Sequence, residues 1–140
     1  MVYAPNHVIV LDESIIEQVN VFDGIKSLGW VVMNSALPPE KLRHYLPTNG
    51  SELVIRLATI DASGIASRLG LGSKQFPVVN TAILGAFARA TKSESELGLV
   101  RIESIVAAVR EYAPRRIEEN AQAALEAFGQ LIIEHEQVEI

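Results

Sequence analysis

The sequence predicts an α/β fold: a short, mainly parallel sheet flanked by helices, with a helix-rich C-terminal half. Three observations point there. Val8-Ile9-Val10-Leu11 and Trp30-Val31-Val32-Met33 are uninterrupted apolar runs of strand length. A Ser-x-x-Glu helix start lies between them, and strand, helix, strand in close succession is a βαβ unit. Beyond Pro77 the apolar residues recur mainly at helical rather than strand spacing.

Taken in order, Met1 to Asn6 is a short lead containing Pro5. Residues 8–11 read as a strand covered on both faces and ending at Asp12. Ser14-Ile15-Ile16-Glu17 has capping-box spacing, so a helix is expected from there towards Val21. Gly24 and Gly29 bracket the crossing to the second strand, residues 30–33, which Asn34-Ser35 closes. Pro38-Pro39 marks a turn, with Pro39 suited to the first turn of a helix over residues 40–45. After a second turn at Pro47-Thr48-Asn49-Gly50, residues 53–60 are β-branched and apolar around Arg56, a third strand. Asp61 is placed to cap a helix over residues 62–69, which Gly70 and Gly72 stop.

The central stretch is Pro77-Val78-Val79-Asn80-Thr81-Ala82-Ile83-Leu84-Gly85-Ala86-Phe87. The Asn80 side chain is expected to cap a helix beginning at Thr81, because a short side-chain oxygen accepts from free N–H groups of the first turn. Apolar residues on every side predict that this helix is almost entirely buried. Gly85 in its interior disfavours helix by about 1 kcal/mol against Ala, which implies a close neighbour. Residues 92–98 read as a polar loop. Ile102, Ile105, Val106, Val109 and Tyr112 then lie at helical spacing, and Pro114 breaks the segment. A last helix puts Ile117, Ala121, Ala124, Leu125, Phe128 and Leu131 on one stripe that Ile132 broadens, before a frayed tail at residues 137–140.

At 140 residues the chain is one domain, residues 1–140. Apolar residues make up 49% and mean hydropathy is +0.22, yet no apolar run approaches a membrane span and no signal peptide is readable. The apolar excess is expected in buried strands, buried helices and a subunit interface. A net charge of −5 disfavours general nucleic-acid binding, which needs a clustered basic face. Arg110, Arg115 and Arg116 are diluted by Glu111, Glu118 and Glu119 and read as a solvated surface. Cysteine is absent, so this chain supplies no thiolate for a disulfide, a zinc site or an iron–sulfur cluster. His7, His44 and His135 lack ligand spacing, no metal site is expected, and His7 reads as a strand-edge residue.

No catalytic residue is readable. A Gly-x-Ser-x-Gly elbow is missing. Gly70-Leu71-Gly72 follows a helix and lacks a third glycine, so it reads as a helix stop rather than a dinucleotide loop. What remains are polar residues at the carboxyl ends of the expected strands: Asp12, Asn34 with Ser35, Thr59 with Asp61, and Asn80 with Thr81. Open α/β sheets bind ligands along that edge. Each also suits helix capping. The helix end at Asn80 is in addition an anion site in prospect, for a phosphate for instance.

Four ordered stretches carry a family resemblance: Val8-Ile9-Val10-Leu11-Asp12, Gly29-Trp30-Val31-Val32-Met33-Asn34-Ser35, Ala58-Thr59-Ile60-Asp61-Ala62-Ser63-Gly64-Ile65-Ala66, and the run from Pro77 to Phe87. Together they resemble the gamma subunit or domain of 2-oxoacid:ferredoxin oxidoreductases, the pyruvate and ketoisovalerate enzymes among them, from His7 to about Phe128. Members usually start with a strand and a Gly-x-Gly-Gly-Gln-Gly turn, and this chain reads as an N-terminally shortened version. The resemblance implies oxidative decarboxylation of a 2-oxoacid to an acyl-coenzyme A with reduction of ferredoxin. It implies thiamine diphosphate and iron–sulfur clusters on partner alpha and beta subunits, with none bound by this chain. Asn80 and Thr81 become candidates beside the coenzyme A path, and the chain alone is expected to be inert. A cytoplasmic location, ferredoxin as an indirect partner, self-association in isolation, and no nucleic-acid or membrane partner complete the expectation. The alternative is a non-catalytic assembly module derived from that family.

Overall fold

The computed structural model describes residues 4–47, 53–73, 75, 77–94 and 99–134. Four strands form one sheet in the order β1 (Val8–Val10), β2 (Trp30–Asn34), β3 (Arg56–Ile60), β4 (Ile132–Ile133). The first three are parallel, with Val8 opposite Val31 and Trp30 opposite Arg56; β4 is antiparallel to β3, with Thr59 opposite Ile132. Five α-helices accompany them: α1 (Pro39–Leu42), α2 (Ala62–Arg68), α3 (Asn80–Ala90), α4 (Ile102–Tyr112) and α5 (Ile117–Gln130). The expected class, α/β with a short, mainly parallel sheet and a helix-rich second half, is what the chain adopts.

Side chains alternate across a strand, so each sheet face has its own core. Trp30, Val32, Ala58 and Ile60 pack with Ile65, Ile83 and a set of alanines from α2, α3 and α5. Val31, Met33 and Leu57 on the opposite face pack with Phe22, Ile25, Leu42 and Leu46. A third cluster joins Ala88 of α3 to Ile105, Val106 and Val109 of α4 and to Ala121 and Ala124 of α5. At the contact of α3 with α5, a Cβ on Gly85 would collide with the Ala124 carbonyl and lie 2.8 Å from its Cα. The close neighbour implied by that glycine is the α5 backbone.

Several expectations are corrected. Among the described strands β1 is outermost; it stops at Val10 and leaves Ile9 39% exposed, so it is not covered on both faces. Residues 13–17 form a 3₁₀ turn capped by Asp12, not a helix capped by Ser14. The Ser14 hydroxyl donates to Asp12 at 2.8 Å, and Glu17 accepts from the Tyr45 hydroxyl at 2.8 Å, so neither member of the capping box is available to the other. The third strand begins only at Arg56, with Val54 exposed before it.

On α5, Ile117 and Leu125 are exposed and Ala123 and Ala127 are buried instead. Ile132 does not broaden that helix. The chain turns extended at Leu131, and Ile132 pairs with Thr59 in β4, a strand the periodicity hid. The polar loop begins as a 3₁₀ turn, Thr91–Glu94. Residues 95–98, most of the turn at 47–50 and the tail at 137–140 lie outside the described residues. Among the described residues no helix is long and apolar enough to cross a membrane.

Candidate functional site

The candidate residues separate into two groups. Asp12, Asn34 and Asp61 meet at the carboxyl ends of β1, β2 and β3. Asn34 makes four hydrogen bonds to residues close to the other two in the chain, Leu11, Ala62 and Ser63. Its Nδ2 donates to the Leu11 carbonyl at 3.0 Å and to Ser63 Oγ at 2.9 Å. Its Oδ1 accepts from the N–H groups of Ala62 at 3.0 Å and Ser63 at 3.2 Å, the first turn of α2. Asp61 Oδ1 accepts from Gly64 N–H at 2.9 Å and caps the same helix. Asp12 Oδ1 accepts from both the N–H and the hydroxyl of Ser14, and these bonds hold its carboxyl below the ordinary carboxylate range. Ser35 Oγ donates to Glu13 and accepts from Leu37 N–H. This edge is thus a self-contained polar network that ties three strand ends to α2 and to the Asp12 turn. His7 is structural as well: its Nδ1 accepts from Trp30 N–H at 3.0 Å.

Asn80 and Thr81 belong elsewhere. They line a cavity of about 870 Å³ between α3, α4, the Gly70–Gly72 turn and the α4–α5 connection. Asn80 is not the cap of α3. Val79 takes that position with near-helical backbone angles, so the first turn closes one residue early, and Ile83 N–H donates to the Val79 carbonyl at 3.0 Å. Asn80 is then the first helical residue, solvent-exposed, with no hydrogen bond to its side chain among the described residues. Thr81 Oγ1 donates to Asn120 Oδ1 at 2.9 Å. The helix is not buried all round either: Leu84, one turn after Asn80, is 45% exposed and faces the cavity.

Leu71, Val78, Leu84, Ile105 and Tyr112 supply apolar wall, and among the described residues Arg115 and Arg116 are the only charged ones lining the cavity. Asn120 organises that cationic end. Its Nδ2 donates to the carbonyls of Arg115 at 3.1 Å and Arg116 at 3.0 Å. Arg116 holds φ at 49°, a left-handed conformation uncommon for a residue with a side chain. Its guanidinium lies over Gly70, where a Cβ would come within 3.2 Å of Nη1. Sequence reading took Arg115 and Arg116 for plain surface and passed over Asn120. Pro114 before two arginines was the available signal; nothing in the sequence marks Asn120, which sits inside a regular helix. Among the described residues no group of three or more His, Asp or Glu side chains is placed to hold a metal.

An open, mainly parallel sheet flanked by helices, with a lined cavity beside a central helix, defines an α/β domain. Residues 1–130 match the pyruvate ferredoxin/flavodoxin oxidoreductase family, and the chain belongs to it. It is 39% identical over 134 residues to the pyruvate/ketoisovalerate oxidoreductases common subunit gamma of Thermococcus kodakarensis, covering 94% of this chain and 64% of that one. It is 38% identical over 131 residues to pyruvate synthase subunit PorC of Methanothermobacter thermautotrophicus, covering 93% of this chain and 61% of that one. The crystal structure of pyruvate oxidoreductase subunit PORC from Thermotoga maritima has the same fold, with a TM-score of 0.74 at 23% identity over 96% of this chain and 67% of that one. The chain thus spans less than two thirds of the length of these two curated relatives.

Proposed function

We propose that this chain is the gamma component of a multisubunit 2-oxoacid:ferredoxin oxidoreductase that converts a 2-oxoacid such as pyruvate to an acyl-coenzyme A. The match over residues 1–130, to a family whose matched relatives are named as subunits of such enzymes, carries the reading. Thiamine diphosphate and the iron–sulfur clusters reside on the alpha and beta subunits. The donor set of this chain agrees, since it has no cysteine to hold a cluster. Its own part is assembly and one wall of the coenzyme A path, in the cytoplasm, with ferredoxin met only through the partners.

The cavity supports the coenzyme A role through its chemistry. Guanidinium groups suit phosphate, and the apolar wall between α3 and α4 suits an extended thiol arm. The exposed Asn80 side chain, which has no hydrogen-bond partner among the described residues, is available to a ligand amide or phosphate. The test is co-expression with alpha and beta subunits of the enzyme from the same source. A complex that contains thiamine diphosphate and reduces viologen dye with pyruvate and coenzyme A supports the reading; a stable complex lacking both supports the assembly module instead. In the active complex Asn80→Ala raises the KM for coenzyme A several-fold and leaves that for the 2-oxoacid unchanged. Equal constants in variant and parent would remove Asn80 from the path.

A further inference from the structure

We infer that Asn120 is a positioning residue for the large cavity, holding Arg116 so that its guanidinium stands where a ligand phosphate is bound. This deepens, and rests on, the reading of that cavity as one wall of the coenzyme A path. The Asn120 side chain bonds in three directions. Its Nδ2 donates to the carbonyls of Arg115 and Arg116, and its Oδ1 accepts from the Thr81 hydroxyl. Carbonyls only accept, so the amide nitrogen must face the turn and the amide oxygen must face Thr81. One planar group thereby ties the start of α3 to the turn that enters α5. Asp at this position would lose both donors to the turn, and Ala or Leu would lose all three bonds.

That turn needs a restraint. Arg116 holds φ at 49° and ψ at 52°, a left-handed conformation that a residue with a side chain keeps only where its surroundings over-determine it. Its carbonyl receives two bonds from Asn120, one from the side chain at 3.0 Å and one from the main-chain N–H at 2.9 Å. Backbone conformation sets the direction in which Cβ leaves the chain, so releasing the turn would re-aim the whole Arg116 side chain. In the restrained turn the guanidinium reaches across to Gly70, and both residues line the cavity. Glu119 Oε1 lies 3.8 Å from Arg116 Nη1, a long and largely exposed pair that contributes little. A phosphate, which offers several oxygens to the guanidinium fork, is the stronger partner.

Kinetics of the complex with alpha and beta subunits test the role. Arg116→Gln should raise the KM for coenzyme A at least fivefold and change that for the 2-oxoacid less than twofold. Asn120→Ala should raise the coenzyme A constant at least threefold with the same selectivity. The double variant separates positioning from direct contact: if Asn120 acts through Arg116, Asn120→Ala adds less than twofold in the Arg116→Gln background. Asn120→Leu, which keeps the bulk without the donors, takes its place should Asn120→Ala not assemble; failure of both to assemble assigns Asn120 to the fold alone and overturns the role. A raised constant for Arg116→Gln beside a parent-like Asn120→Ala, or a multiplicative rise in the double variant, also overturns it and leaves the coenzyme A reading of the cavity standing. An unchanged constant for Arg116→Gln in an active complex overturns both.

Discussion

Thr59 and Asn34 sit on neighbouring strands and represent opposite ways of burying a polar side chain. Thr59 is fully buried and its hydroxyl has no partner among the described residues, whereas Asn34 satisfies its amide with four hydrogen bonds. An unmade buried hydrogen bond is destabilising by about 1–3 kcal/mol, so Thr59→Val, which keeps the shape, should leave stability unchanged or raise it by about 1 kcal/mol. Asn34→Ala should lower it by about 2–4 kcal/mol, since it strands two N–H groups of α2 and the Leu11 carbonyl. Urea unfolding midpoints of the two variants, moving in opposite directions or with Thr59→Val unmoved, check this pair. Asp12 adds a pH dependence. Its folded pKa lies below the usual value near 3.8, so its contribution is present above that value and fades as pH falls through the folded pKa. Asp12→Asn should therefore flatten the loss of stability below about pH 4, read as the acid midpoint of unfolding.

At the scale of elements, the contact of α3 with α5 is the most constrained. Gly85 and Ala124 let two backbones touch, and Ala82, Ala86, Ala121 and Ala127 keep the surroundings small. Gly85→Ala gains about 1 kcal/mol of helix propensity. Against that it drives a methyl into main chain that cannot rotate away, so a net loss of about 3 kcal/mol, at the top of the range for overpacking, is expected. Adding Ala124→Gly should not restore the loss, because the colliding atoms are carbonyl and Cα; chemical denaturation of the single and double variants decides it. Asn80→Ala, by contrast, should change stability by no more than about 0.5 kcal/mol, as it is an exposed first-turn residue and not a cap.

For the whole molecule, two groups stand out among the exposed apolar side chains. Val78, Leu84, Val100 and Tyr112 line the large cavity, while Leu11, Ile15 and Val19 follow β1 in the chain. Exposed apolar patches of this kind mark interfaces. The isolated chain is expected to self-associate at working concentration and to show no dye reduction with pyruvate and coenzyme A. Sedimentation giving a clean 15.3 kDa monomer that binds no hydrophobic dye would contradict the first expectation. Turnover by the purified chain would contradict the second.

The sequence by itself determined the α/β class, the first two strands, the Asp61 cap, the close neighbour of Gly85 and the family. All of these reside in local patterns: apolar runs, capping residues and a glycine where helix propensity argues against one. Only the tertiary structure decided the rest. That β1 is an outer strand, that Ile132 joins β3, and that Asn34 ties Leu11 to α2 depends on which distant elements meet, and no window of consecutive residues encodes that. The same holds for the site. Asp12, Asn34 and Asp61 look like a binding edge when read singly, but in the fold each bonds to nearby main chain or serines instead. Asn80 and Thr81 instead acquire Asn120, Arg115 and Arg116 as neighbours from more than thirty residues away, because helix packing brings the start of α5 against the start of α3.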